Sequence, residues 1–319
     1  MNRIALPTAC TAGILVLAGC GGSSATAETT AVSARSAATV STKSALKKAR
    51  WGAGVTVTFG TSTVRLRSNG IPNHSRQKWY AVPNAGVVVP DASTAHVISD
   101  PTGAQSYDFR IPTRPRKAAK TTAAPLGSIG FMISGAPLFN PYEGDGKTVA
   151  MSSNFTLTAP DGTKAVFVDA CSGHPTPGGM AGTDGQYHYH ALPACVARQV
   201  DRTGGPSHII GVAFDGFPIY GSRDIRGRKI PVSRLDKCNG ITSPTPEFPK
   251  GIYHYVLPGT NDATSSIRCF RGVVDASLIQ RMPNMGPPPG GGPPPGGAAA
   301  AGTRTASAAM LCDLSRVLA

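Results

Sequence analysis

The sequence predicts a mainly β fold: a single domain of two duplicated β-rich lobes with many loops, stapled by disulfides. Three observations predict it. Val55-Thr56-Val57-Thr58-Phe59 and Thr63-Val64-Arg65-Leu66-Arg67 alternate with period two around a Gly-Thr-Ser turn. The 38 glycines and 28 prolines punctuate the chain too often for helices of more than a few turns. One stretch of sequence also occurs twice, followed each time by a cysteine turn and a Tyr-His-Tyr segment.

The chain opens on a positive Met1-Asn2-Arg3, then a mostly apolar run from Ile4 to Leu17, then Leu17-Ala18-Gly19-Cys20. This is the layout of a secretory signal over residues 1–19. Its last four residues are similar to a lipobox, which makes Cys20 the lipid-bearing start of the mature protein. The apolar run is too short for a membrane-spanning helix, and Pro7, Thr8 and Thr11 interrupt it. The expected location is therefore the cell envelope, with a lipid anchor in the membrane. Gly21 and Gly22 after the cysteine resemble outer-membrane sorting, should the host be Gram-negative.

Residues 20–50 are rich in Ser, Thr, Ala and Lys with no repeating apolar face, and read as a flexible tether. Residues 283–319 carry Gly-Pro-Pro-Pro-Gly blocks and an alanine run without the every-third glycine of collagen. They read as a low-complexity tail. Between them, residues 51–282 are enough for one substantial core. The formal charge of +14 and pI near 9.8 invite a nucleic-acid reading. The basic residues are scattered, however, apart from Arg114-Pro115-Arg116-Lys117 and Lys120, and no helix-turn-helix or base-stacking pattern accompanies them. Nucleic acid is not an expected partner; no protein partner is indicated.

The duplication spans about 125–205 and 206–275. Ile129-Gly130-Phe131-Met132-Ile133-Ser134-Gly135-Ala136-Pro137-Leu138-Phe139 matches Ile210-Gly211-Val212-Ala213-Phe214-Asp215-Gly216-Phe217-Pro218-Ile219-Tyr220. Each reads as a hairpin with a two-residue Ser-Gly or Asp-Gly turn. Asp169-Ala170-Cys171-Ser172-Gly173 matches Asp236-Lys237-Cys238-Asn239-Gly240, and Tyr187-His188-Tyr189-His190 matches Tyr253-His254-Tyr255-Val256. Of seven cysteines, Cys10 lies in the signal and Cys20 at the anchor. In an oxidising compartment the other five read as disulfides first and metal thiolates second. The duplication pairs Cys171 with Cys195 and Cys238 with Cys269, each pair bracketing its own Tyr-His-Tyr strand. Cys312 is left unpaired or intermolecular.

His188 and His190 stand two apart on an expected strand, so both imidazoles share one face and Tyr187 and Tyr189 the other. Two convergent imidazoles suit copper or zinc. The Cys171–Cys195 bridge would fold His174 toward them. His254 or His74 is a candidate further ligand. The second copy has Val256 where the first has His190, so one working site is expected, in the first lobe. Asp169 is a candidate to orient a ligand histidine, with Tyr187 and Tyr189 as neighbours of the ligands. Asp169, Asp215 and Asp236 are also natural turn formers. Glu143 and Asp145 put two carboxylates in one loop, suggestive of calcium or acid-base work, without EF-hand spacing.

Ser68-Asn69-Gly70-Ile71-Pro72-Asn73-His74, Cys171-Ser172-Gly173-His174-Pro175, Tyr187-His188-Tyr189-His190 and Phe214-Asp215-Gly216-Phe217-Pro218-Ile219-Tyr220-Gly221 together resemble the YHYH domain family of exported bacterial proteins. The resemblance runs from about residue 51 to about 275. It implies export but no activity. In that family the second Tyr-His-Tyr is often completed by histidine, whereas here Val256 follows.

The expected function is an envelope lipoprotein that binds a divalent copper or zinc ion through a histidine cluster, for storage, delivery or sensing. Two other classes compete. One is a metal-dependent enzyme, oxidative if copper lies near Tyr187 and Tyr189, or hydrolytic if zinc activates water. The other is a non-catalytic adhesion or scaffold domain whose histidines only pack. No nucleophile elbow, phosphate loop or H-E-x-x-H motif is present.

Overall fold

The period-two segments pair where their alternation places them. β1 (Val55–Phe59) and β2 (Thr63–Ser68) form an antiparallel hairpin, with Val64 and Leu66 fully buried and Arg67 turned outward. β5 (Tyr107–Pro112) adds to β2 and completes a three-stranded sheet. In a computed structural model of the chain, residues 40–177 and 184–279 are described. The signal peptide, Cys20, Cys312 and the tail over 283–319 lie outside the described residues.

Short strands complete the N-terminal layers. β3 (Trp79–Pro83), β4 (Ala95–Ser99), β9 (Thr156–Thr158) and β10 (Lys164–Val166) form a four-stranded sheet in the order β4-β3-β10-β9. β6 (Lys117–Ala123) pairs with the last strand, β17 (Cys269–Gly272).

The duplicated segments build one continuous eight-stranded sheet. The first copy supplies β7 (Ser128–Met132), β8 (Pro137–Phe139), β11 (Gly173–Pro175) and β12 (Tyr187–Tyr189). The second supplies β13 (Ile209–Ala213), β14 (Pro218–Tyr220), β15 (Gly240–Ser243) and β16 (Ile252–Val256). From each edge inward the order is the same, β11-β12-β8-β7 and β15-β16-β14-β13, and the copies meet at the antiparallel β7–β13 seam. The lobes thus share backbone hydrogen bonds as well as a packing interface. Every residue of β7, β13 and β16 is buried, which is why these strands read as nearly unbroken apolar runs. Phe109 on β5 packs on Phe131 and Phe214, with ring centroids 5.5 and 4.7 Å away, and joins the three-stranded sheet to the seam.

Both hairpins form, but their loops have three residues rather than two. Met132 N–H donates to the Ala136 carbonyl and Gly135 N–H to the Met132 carbonyl; Ala213, Phe217 and Gly216 repeat the pattern. Gly135 and Gly216 take φ of +100° and +87°. A turn closed by a glycine in the left-handed region, forming a bulge, is the usual three-residue solution.

The tether expectation for residues 20–50 fails at its C-terminal end. A short helix, α1 (Lys43–Lys48), docks on the body with Leu46 fully buried and Ala45 nearly so. Thr42 N–H donates to the Thr113 carbonyl at 2.9 Å, and the Trp51 indole donates to the Leu46 carbonyl at 2.9 Å. Six residues give too few turns for an apolar period to show, so composition alone hides this segment.

Cys171–Cys195 and Cys238–Cys269 form the expected disulfides, with Cα separations of 5.5 and 4.7 Å. Their settings differ. Cys195 lies on the helix α2 (Ala194–Val200), whereas Cys269 opens β17. Closing loops of this length contributes about 3–4 kcal/mol each in the chain-entropy view. Among the described residues no helix is long and apolar enough to cross a membrane.

The docking of α1 is testable. Leu46→Ala should lower the unfolding free energy of the full-length protein by about 2–5 kcal/mol in urea denaturation. A loss below about 0.5 kcal/mol would return the segment to the tether.

Candidate metal centre

The Asp-x-Cys-x-Gly turn starts the site. Asp169 Oδ1 accepts from the N–H groups of Cys171 and Gly173, at 2.8 and 3.2 Å. This tight turn puts Ser172 at φ 61°, and its counterpart puts Asn239 at 65°. Asp169 Oδ2 accepts from Tyr187 at 2.7 Å and from Tyr80 at 2.9 Å. The Tyr187 hydroxyl passes over Gly173, where a Cβ would stand 2.5 Å from it. Only glycine admits that strut. Asp236, Tyr253 and Gly240 repeat the arrangement, with the Tyr253 hydroxyl 3.0 Å from Asp236 Oδ2.

The turn delivers β11 against β12 in a register that sets His174 directly across from His188. His190 follows two residues later on the same face. The three rings are 6, 4 and 3% exposed. Their centroids lie 4.5 Å (His174–His188), 4.8 Å (His188–His190) and 5.2 Å (His174–His190) apart. One ligand nitrogen from each falls within 4.8 Å of the others. Phe139 stacks on His188 at 4.0 Å and Phe167 meets His174 edge-on at 4.4 Å, so two walls of the site are aromatic.

Hydrogen bonding fixes which nitrogens face inward. His188 Nδ1 is 3.0 Å from the Gln186 carbonyl and His190 Nδ1 is 2.7 Å from the Asn140 carbonyl. A carbonyl only accepts, so both Nδ1 atoms carry the proton. In the neutral rings both Nε2 atoms are then bare lone pairs. They face each other at 3.0 Å. His174 Nε2 is buried with no hydrogen-bond partner. Burial first, and then mutual repulsion with the neighbouring rings, holds His174 and His188 well below the usual imidazole range; burial brings His190 down to about 4. At neutral pH the cluster presents three neutral imidazoles.

Five histidines were candidate ligands; three converge. His254 pairs across from Ile241 on β16, and four strands separate β16 from β12, about 24 Å at ordinary strand spacing. It cannot complete the first-lobe site, because the lobes join side by side instead of folding face to face. His74 lies on the tyrosine face of β12. Its Nε2 is 2.6 Å from the Tyr189 hydroxyl and 3.4 Å from Cys171 Sγ, and its Nδ1 is bonded to the Ser75 carbonyl. It forms a separate group with the Cys171–Cys195 bridge.

Asp169 does not orient a ligand histidine. Its oxygens serve the turn and two tyrosines, and the orienting groups are the Gln186 and Asn140 carbonyls. Main-chain acceptors carry no residue-type signal, so the sequence could not have named them. Tyr187 and Tyr189 face away from the cluster, as period two requires; Tyr189 bonds to Ser134 at 2.9 Å as well as to His74. Asp145 accepts from Lys147 N, Thr148 N and Thr148 Oγ1, all within its own turn. Glu143 is buried with Oε1 unpartnered, and burial, helped by Asp145, pushes it up to about 8. The loop therefore holds a neutral acid and a turn former, not a paired carboxylate site.

The fold and site define a class: a mainly β protein of two fused repeats, one of which encloses a buried three-histidine group. The family described as YHYH protein matches residues 108–229 and 228–272, more than half of the chain. The chain belongs to that family. No curated protein and no solved structure matches it.

Glu143 gives a pH test of the packing of its own loop. Its folded-state pKa, about 8, lies above its ordinary 4.5. The folded state therefore holds the proton across that window, and stability falls as pH rises through it. Glu143→Gln should remove this slope, and its advantage over the parent should grow as pH rises from 4.5 to about 8, to on the order of 5 kcal/mol. Equal pH profiles in thermal denaturation would contradict the assignment.

Proposed function

We propose that this chain is an envelope-anchored protein that binds one copper or zinc ion through His174, His188 and His190. The observation that carries the reading is the pair of bare Nε2 atoms 3.0 Å apart, each fixed by an Nδ1–H bonded to a main-chain carbonyl. Two lone pairs at that distance repel, and a cation between them relieves the repulsion. A ligand imidazole whose other nitrogen donates to a carbonyl is the usual second layer of a metal site. His174 Nε2, buried and unpartnered, is the third donor.

The second lobe supplies the comparison. Its scaffold is the same, yet Ile241, His254 and Val256 stand where His174, His188 and His190 stand. A strand of this family therefore packs well with one imidazole and two aliphatic side chains. Three buried imidazoles are not needed for the core, and burying polar atoms without partners costs about 1–3 kcal/mol each. Anchoring at Cys20 rests on the signal layout of residues 1–20. A lipid-held metal binder in the envelope suits storage, delivery or sensing of the ion.

Calorimetric titration of the full-length protein with Zn(II) and with copper should show one saturable site per chain. His188→Ala with His190→Ala should abolish it while the disulfides keep the fold, as circular dichroism would check. Equal binding by parent and variant would remove the cluster from the function.

The reverse experiment uses the second lobe. Ile241→His with Val256→His places two imidazoles around His254, whose Nδ1 already bonds to the Ile252 carbonyl at 3.0 Å. The stoichiometry should double. A variant that folds and still binds a single ion would show that the scaffold does not set the ligand geometry.

A further inference from the structure

We infer that the three-histidine site is built for monovalent copper rather than for a divalent ion, which makes the protein a carrier of cuprous ions. This rests on the metal-binding reading above and narrows it.

The ligand set is three neutral imidazoles, and among the described residues no carboxylate or thiolate joins them. Nothing in that set neutralises the ion. The rings are almost wholly buried, with Phe139 and Phe167 against them. Charge transfer into such surroundings is costly, and because the Born cost grows with the square of the charge, a divalent ion pays about four times what a monovalent ion does.

Ligand number argues against a closed structural zinc site and against divalent copper. Structural zinc takes four protein ligands, and catalytic zinc takes three with a water in the open position. Here His254 is across the sheet and His74 is on the opposite face, so the described residues offer three donors and no fourth histidine. Divalent copper favours tetragonal surroundings, which three rings converging from two adjacent strands do not supply. A filled d shell leaves cuprous copper free of that preference, and three nitrogen donors satisfy it.

Access is through the sheet edge. His188 lies on the inner strand β12 and His190 directly follows it, whereas His174 belongs to β11, the outermost strand of the eight-stranded sheet. The edge at β11 is therefore the side from which an ion reaches the buried rings. The ion arrives and leaves as Cu(I), with no change of oxidation state.

The test is competition on the full-length protein. Cu(I) is titrated anaerobically against bicinchoninate, and Zn(II) and Cu(II) are each titrated against a chromophoric chelator. One Cu(I) per chain, held at least ~100-fold more tightly than either divalent ion, is the expected result. Divalent binding as tight as Cu(I) or tighter would overturn the cuprous assignment and leave the three-imidazole site standing. Failure of all three ions to bind would overturn both. His174→Gln, at the sheet edge, should lose Cu(I) by at least ~100-fold with an unchanged urea midpoint. Undiminished affinity in that folded variant would also overturn the inference, since it would remove the third donor.

Discussion

Two hydrogen bonds set the state of the histidine cluster: His188 Nδ1–H to the Gln186 carbonyl and His190 Nδ1–H to the Asn140 carbonyl. Each fixes a tautomer, and together they aim two lone pairs at one point. Much of the first lobe keeps those carbonyls and rings in place. Asn140 directly follows β8, which pairs in parallel with β12, so the acceptor for His190 comes from the neighbouring strand. Gln186 precedes β12, and its N–H is held by Thr176 Oγ1 at 2.9 Å. On the other face, the Tyr187–Asp169 strut and the Cys171–Cys195 bridge pin the turn that carries His174. The tyrosines of the Tyr-His-Tyr-His motif brace the turn and its neighbours while its histidines join the buried cluster, with the strand period dividing the two faces.

The duplication separates scaffold from site. Asp169 and Asp236, Tyr187 and Tyr253, and Gly173 and Gly240 make the same contacts in both copies. Tyr189 and Tyr255 differ only in partner: Ser134 and His74 serve the first, whereas Asp215 and the Arg271 N–H serve the second. What changes between lobes is the imidazole face. In the second lobe Tyr220 replaces Phe139 and turns its hydroxyl to Thr245 and Glu247 at 2.9 and 2.8 Å. One copy holds three imidazoles at this place; the other holds one imidazole and two aliphatic side chains.

Much of this was legible in the sequence, for identifiable reasons. Period two placed His188 and His190 on one face. The repeat paired the cysteines, because each copy carries its own pair around its own strand. The repeat also pointed to the lobe that holds the three-histidine group, since Val256 stands where the first copy has His190. Other features depend on contacts remote in sequence. The β7–β13 seam puts His254 far from the cluster, and no local pattern reveals how two copies join. Asn140 and Gln186 act through main-chain oxygens, to which residue type is irrelevant. Leu46 is buried because Thr113 and Trp51 receive its helix, in a segment whose composition reads as a tether.

The central claim is that His188 and His190 are neutral, protonated at Nδ1, and open at Nε2 toward a shared ion. Long-range nitrogen–proton correlation spectra of the histidine rings, recorded on the metal-free full-length protein at neutral pH, test it most directly. The account predicts the Nδ1–H tautomer for both rings, with the Nε2 resonances alone moving strongly when a diamagnetic ion, Zn(II) or Cu(I), is added. A proton on Nε2 of either ring, or a charged imidazolium at neutral pH, would contradict it.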